Sequence, residues 1–125
     1  MKRLISASVL LVIIVAICIV SAITVKSAYH DLSQKLEVCI TEYNAENIAK
    51  AFESATDLEK DWKKREEILS IFVDHDIIDD LGVSISRLPS LANKKSDTFL
   101  AECNAVKVAL THMIKDISVN THTLF

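Results

Sequence analysis

The sequence predicts an all-α protein: a single N-terminal transmembrane helix followed by a small bundle of three to four helices. Three observations carry this expectation. Residues 4–25 form an apolar run without one charged side chain. Glycine and proline occur once each, as Gly82 and Pro89, whereas the turns of β and α/β folds draw on Gly, Pro and Asn–Gly pairs. Behind the apolar run, hydrophobic residues recur at spacings of three and four, the mark of helices with one buried face.

The apolar run, LISASVLLVIIVAICIVSAITV, has 22 residues. As a helix it rises roughly 33 Å, enough for a hydrocarbon core of about 30 Å. Its polar members, Ser6, Ser8, Ser21 and Thr24, leave it apolar on every face, unlike the amphipathic core helix of a small soluble domain. It is expected to be a retained signal anchor. Two other readings stand beside this one: a secretory signal cleaved at Val20-Ser21-Ala22, and a lipoprotein signal ending at Cys18. The run exceeds the roughly 7 to 15 apolar residues of a cleaved signal, no Gly or Pro breaks it near Ala22, and Ile17 is large for the residue before a lipidated cysteine. Lys2, Arg3 and the terminal amine outweigh Lys26 and Lys35, which are diluted by Asp31 and Glu37. The positive-inside rule then places residues 1–3 in the cytoplasm, residues 4–25 across the cell membrane and residues 26–125 on the extracytoplasmic side.

About a hundred residues behind the run suffice for one small core. From Ser27 onward there are 11 basic and 17 acidic residues, a net charge of −6. That sign excludes nucleic acid as a partner, because binding it needs basic surface to displace counterions. It offers anionic lipid headgroups no attraction either. Cys39 and Cys103 fall on apolar stripes and read as small buried hydrophobes; a disulfide between them in an oxidising compartment stays open.

With no breaker before Gly82, the first helix is expected to run on through Leu32, Leu36, Cys39, Ile40 and Tyr43, joining domain and membrane segment rigidly. Asn44 and Asn47 bracket the first turn. Ile48, Ala51, Phe52 and Ala55 form a short stripe, and Thr56-Asp57-Leu58-Glu59 has the form of a capping box that opens a longer helix. That helix turns Leu58, Trp62, Leu69 and Phe72 inward, with Ile68 and Ile71 alongside, and pairs Glu59 with Lys63 and Asp61 with Arg65 on a solvated face. Residues 74–82 read as an acidic turn. A shorter helix follows, with Ile85, Leu88 and Leu91 inward and Ser86 as N-cap, so that Pro89 falls in its first turn or kinks it. Ser96 or Asp97 caps the last helix, which buries Phe99, Cys103, Val106, Leu110 and Met113, with Leu100 and Ile114 beside them. The period fades from Ser118, and Leu124 and Phe125 are expected to pack back onto the bundle.

The most chemical-looking cluster is Asp74-His75-Asp76-Ile77-Ile78-Asp79-Asp80. On a helix His75 and Asp79 share a face, as do Asp76 and Asp80, a donor set suited to a divalent cation. The plainer reading is a helix end with capping aspartates, and the central Gly and closing Glu of a calcium loop are missing. His112 reads as structural, and Trp62 as a core anchor with a ligand groove as the alternative. Phosphate loops and hydrolase elbows are absent, so neither a catalytic residue nor a cofactor is expected.

A basic start, one hydrophobic helix, W-x5-I-L-x-I-F-V-D-H over residues 62–75, I-S-R-L over 85–88, H-M-I over 112–114 and a closing L-F together resemble an uncharacterised bacterial family, domain of unknown function 4363. The resemblance covers nearly the whole chain; Pro89 and the ending Thr123-Leu124-Phe125 depart from the family pattern. It implies membrane attachment and a helical extracytoplasmic domain, supplies no site residues, and suggests another membrane protein as partner.

The expected function is a membrane-anchored, non-enzymatic helical interaction module on the extracytoplasmic face. It would act through another membrane or envelope protein, or as a homo-oligomer through the stripe at residues 32–43. The alternative is a ligand- or cation-sensing domain that uses the acidic stretch 74–80.

Overall fold

The computed structural model describes the backbone of residues 1–124 and the side chains of residues 1–115. Four α-helices follow one another: α1 (Lys2–Asn44), α2 (Ile48–Phe72), α3 (His75–Asn93) and α4 (Thr98–Leu124). No strand occurs among the described residues. Connections of two to four residues make each helix antiparallel to its predecessor. α1 packs on α2, α2 on α3 and α3 on α4, and α4 closes the ring against α1. The all-α expectation holds, and the first helix is itself one of the four in the bundle.

α1 runs 43 residues without interruption, or about 64 Å. It is long and apolar enough to cross a membrane. Its two halves have different surroundings. Leu4, Ile5, Val9, Leu10, Leu11, Val12, Ile13 and Ile14 are all exposed, with no other helix covering them. From Ser21 onward one face is buried: Ser21, Val25, Ala28, Leu32, Leu36 and Cys39. The bundle therefore begins inside the apolar run, before the charge that closes it at Lys26.

The core is a narrow seam. α2 contributes Ala51, Ala55, Leu58, Trp62 and Leu69, α3 contributes Ile78, Leu81, Ile85, Leu88 and Ala92, and α4 contributes Phe99, Cys103, Val106, Leu110 and Met113. Steps of three and four throughout give the two-in-seven stripe of coiled-coil-like packing. One step, from Trp62 to Leu69, is seven long, and the skipped position is Arg65. Phe52, Ile68 and Ile71 lie off the stripe and are exposed.

Both turns at the end away from the bare half of α1 close in the same way. Glu46 N–H donates to Tyr43 O and Asn47 N–H to Glu42 O; Lys95 N–H donates to Ala92 O and Ser96 N–H to Leu91 O. These bonds satisfy the last carbonyls of α1 and α3. They require a left-handed residue after each helix, and Glu46 (φ 63°) and Lys95 (φ 52°) fill that place where glycine is usual. The two turns are pinned together: Tyr43 stacks on Phe99 with ring centroids 4.2 Å apart, and its hydroxyl donates to Ser96 O at 2.7 Å. Ser96 also accepts from Thr98 N–H through its hydroxyl, so it caps α4 as its position suggests.

Several expected boundaries are corrected. Thr56 opens no helix: it lies inside α2 and its hydroxyl donates back to Phe52 O, because the seam already runs through Ala51 and Ala55. Residues 75–82 are helix, not turn. Asp74 is the N-cap of α3, its carboxylate accepting from Asp76 N–H at 3.1 Å. Ser86 is then interior and bonds Val83 O. Pro89 sits deep in α3 and leaves the Ile85 carbonyl without its helical donor. Gly82 is helical too: a Cβ there would stand 3.3 Å from Trp62 Nε1, so the missing side chain lets α3 come close to the indole. The fading period after Ser118 does not end the helix, since α4 runs to Leu124. The packing expected of Leu124 and Phe125 lies outside the described side chains.

Candidate functional site

The four residues of the alternative cation reading start α3. His75, Asp76, Asp79 and Asp80 all stand exposed on its first two turns. The helix does put His75 and Asp79 on one side, where with Lys63, Glu66, Glu67, Ser70 and Ile78 they line a shallow groove between α2 and α3 of about 250 Å³. Among the described residues, no three His, Cys, Asp or Glu side chains come together to hold a metal ion. Asp74 is engaged at the N-cap, and Asp76 lies in the first turn, where a carboxylate favours the helix dipole. His112 is exposed on α4.

Trp62 is 2% exposed and anchors the α2–α3 contact as a core residue. Its indole N–H is buried and has no hydrogen-bond partner among the described residues, and it lies beside Gly82 of α3, which has no side chain to offer it. Burying such a donor carries a desolvation cost.

The two thiols of the bundle face one another's helices. Cys39 is buried on α1 and donates weakly to Ala51 O at 3.4 Å. Cys103 is buried on α4. Burial pushes the Cys39 thiol up to about 11. It pushes Cys103 up to about 12, chiefly through desolvation, with the nearby Cys39 raising it further. Thiols held in this way stay protonated at neutral pH and are poor nucleophiles.

The most connected polar cluster joins α1 and α2. Arg65, at the interrupted seam position, donates through Nη2 to Asp31 Oδ2 at 2.7 Å and through Nε to both Asp61 oxygens at 3.2 Å. Lys35 Nζ stands 3.5 Å from Asp61 Oδ2. The pair read from the sequence, Asp61 with Arg65, is real, but it is half-buried and cross-linked to α1 and is no free solvated face. The signal that could have revealed it was present: Arg65 falls where the three-and-four step from Leu58 and Trp62 calls for an apolar side chain. Beside the cluster a groove of about 440 Å³ is lined by Gln34, Lys35, Val38, Ser54, Asp57, Lys60, Asp61 and Lys64. Its open, mixed-charge wall suits a protein surface better than a buried small molecule.

The stripe at residues 32–43, expected to serve self-association, is not available for it. Leu32, Leu36 and Cys39 are fully buried inside the bundle, and Ile40 and Tyr43 are packed against it. The described side chains thus form a helical scaffold whose first helix begins with a bare apolar half. The family model described as Domain of unknown function (DUF4363) matches residues 19–123. No curated protein and no solved structure matches the chain.

Proposed function

The chain belongs to the family of that model, Domain of unknown function (DUF4363), and from this premise we propose that it is a membrane-anchored, non-enzymatic interaction module. Residues 4–20 anchor it, and its helical bundle meets a membrane or envelope protein on the extracytoplasmic side. The observation that carries the reading is the two-part α1. Its first half is apolar and bare, and its second half is a structural wall of the bundle without any hinge between them.

The same continuity supports retention of the segment. Cleavage after Ala22 would cut α1 between Ser21 and Val25, both already buried in the seam. Lys2 and Arg3 ahead of the apolar run, with net negative charge beyond Lys26, support an N-terminus on the inner side. A non-enzymatic role is supported by the state of the thiols, both buried and protonated, and by the exposed, separate placement of the α3 carboxylates. The face offered to a partner is the α1–α2 groove, where Val38 stands exposed among lysines and aspartates.

Site-specific photocrosslinking from Val38 in native membranes tests the partner. The expected product is one defined heterodimer, lost when Lys60 and Lys64 are both changed to Glu. Uncrosslinked monomer under conditions where the bundle is folded would contradict the reading.

A further inference from the structure

Between Leu4 and Val20, ahead of the seam, α1 rises only about 25 Å, roughly 5 Å less than a hydrocarbon core of about 30 Å. The shortfall falls at the end of the bundle where α2 turns into α3. There Phe72 packs toward Ala16, Ile17 and Val20 around a cleft of about 260 Å³ lined by these four residues alone. On the same last turns of α2, Ile71 is 74% exposed and Ile68 51% exposed. Ile71 is the most exposed large hydrophobic side chain beyond α1 among the described residues. From Ile68 to Val73 the chain carries no charge, and Ser70 is its one polar side chain; that hydroxyl is spent on Glu67 O.

We propose that the end of α2, through Ile68, Ile71 and Phe72, is a second membrane-contact surface that sits in the outer boundary of the bilayer beside residues 16–23 of α1. The inference rests on the anchor reading above. The occupant is lipid hydrocarbon, for two reasons. The patch is continuous with the bare apolar face of α1 through the Phe72 cleft, and the spanning length closes only if the base of the bundle sinks by about one helical turn. Ile23, exposed on α1 at this level, enters the bilayer by the same movement. Lys26 on α1 lies above this level, while Asp74, His75 and Asp76 turn at the base itself, level with Phe72; the contact is therefore shallow, with those charges among the headgroups and the apolar side chains of α2 reaching past them. The bundle is then held upright by two apolar contacts.

Full-length chain in phosphatidylcholine vesicles tests this directly. Ile71→Cys and, as reference, Phe52→Cys near the opposite end of α2 each receive a polarity-sensitive fluorophore. The partly exposed Cys18 is first changed to Ser in every chain; Cys39 and Cys103 are buried and protonated, and labelled Cys18→Ser chain supplies the background. Vesicles then carry doxyl groups close to the headgroup. The expected result is blue-shifted emission at Ile71 with several-fold stronger doxyl quenching than at Phe52. Vesicles that float with the protein while Ile71 is quenched no more than Phe52 overturn this inference and leave the anchor standing. A blue shift without quenching means that protein covers the patch and also overturns it. Protein that fails to float with the vesicles overturns the anchor reading and this inference together.

Discussion

Arg65 Nη2 lies 2.7 Å from Asp31 Oδ2 across the α1–α2 interface, at the α2 seam position where an apolar side chain is missing. The same guanidinium holds Asp61, whose carboxylate is the more buried of the two partners. The cluster is half-exposed, so its worth lies below that of a buried pair and above that of a free surface pair. Its geometry fixes the register of α2 against α1.

Removing one partner differs from replacing the charge by an apolar stem. Arg65→Ala leaves two carboxylates near one lysine and is expected to cost about 1–3 kcal/mol. Arg65→Met restores the seam and is expected to fall within about 1 kcal/mol of the parent. Thermal unfolding of the full chain in detergent, followed by circular dichroism, separates the two. Equal losses would mean that the ion pairs contribute nothing.

The turn residues Glu46 and Lys95 occupy left-handed backbone. Glycine accepts that conformation without the steric cost of a Cβ. Glu46→Gly and Lys95→Gly are each expected to stabilise the bundle by about 0.5–1 kcal/mol, against the general trend for glycine. The midpoint of chemical unfolding reads this, and a fall in either variant contradicts it.

Pro89 breaks the hydrogen-bond ladder inside α3. Pro89→Ala supplies the donor missing at Ile85 and should raise stability by about 1–3 kcal/mol. An unchanged midpoint would show that α3 has already absorbed the proline.

The thiols of Cys39 and Cys103 make stability depend on alkaline pH. Their folded values, about 11 and about 12, stand above the ordinary thiol value of 9.0. Below pH 9 both states keep the proton and the thiol contribution is fully present. Above it the unfolded chain loses protons first, so stability falls as pH rises toward the folded values. Cys39→Ala and Cys103→Ala should each flatten that fall in unfolding midpoints measured from pH 8 to pH 11. At pH 8 alkylation of both thiols in the native chain should be slow and accelerate on unfolding.

The fold class was legible because its causes are local. A charge-free apolar run, scarce breakers and an unbroken three-and-four period lie within single segments, as in residues 21–39 of α1. Helix boundaries inside the domain were less legible. Thr56-Asp57-Leu58-Glu59 matches a capping box, yet the seam through Ala51 and Ala55 overrides it. Residues 74–82 look like a turn, yet Asp74 caps a helix that tolerates both Gly82 and Pro89, because Leu81, Ile85 and Leu88 are fully buried. The α3 carboxylates share faces as their spacing implies, but whether they converge depends on α2, which local spacing does not encode. The Asp31–Arg65 contact spans 34 residues, and only the gap in the seam hints at it.

On the proposed reading α1 spans a membrane and continues into an external bundle. Protease digestion of intact cells expressing the chain, followed by mass spectrometry of the membrane-retained fragment, tests it most directly. The account predicts loss of the bundle and a protected fragment that keeps residues 4–20 and ends near Lys26. A full-length chain protected from protease, or the absence of any membrane-retained fragment with residues 4–20, would contradict it.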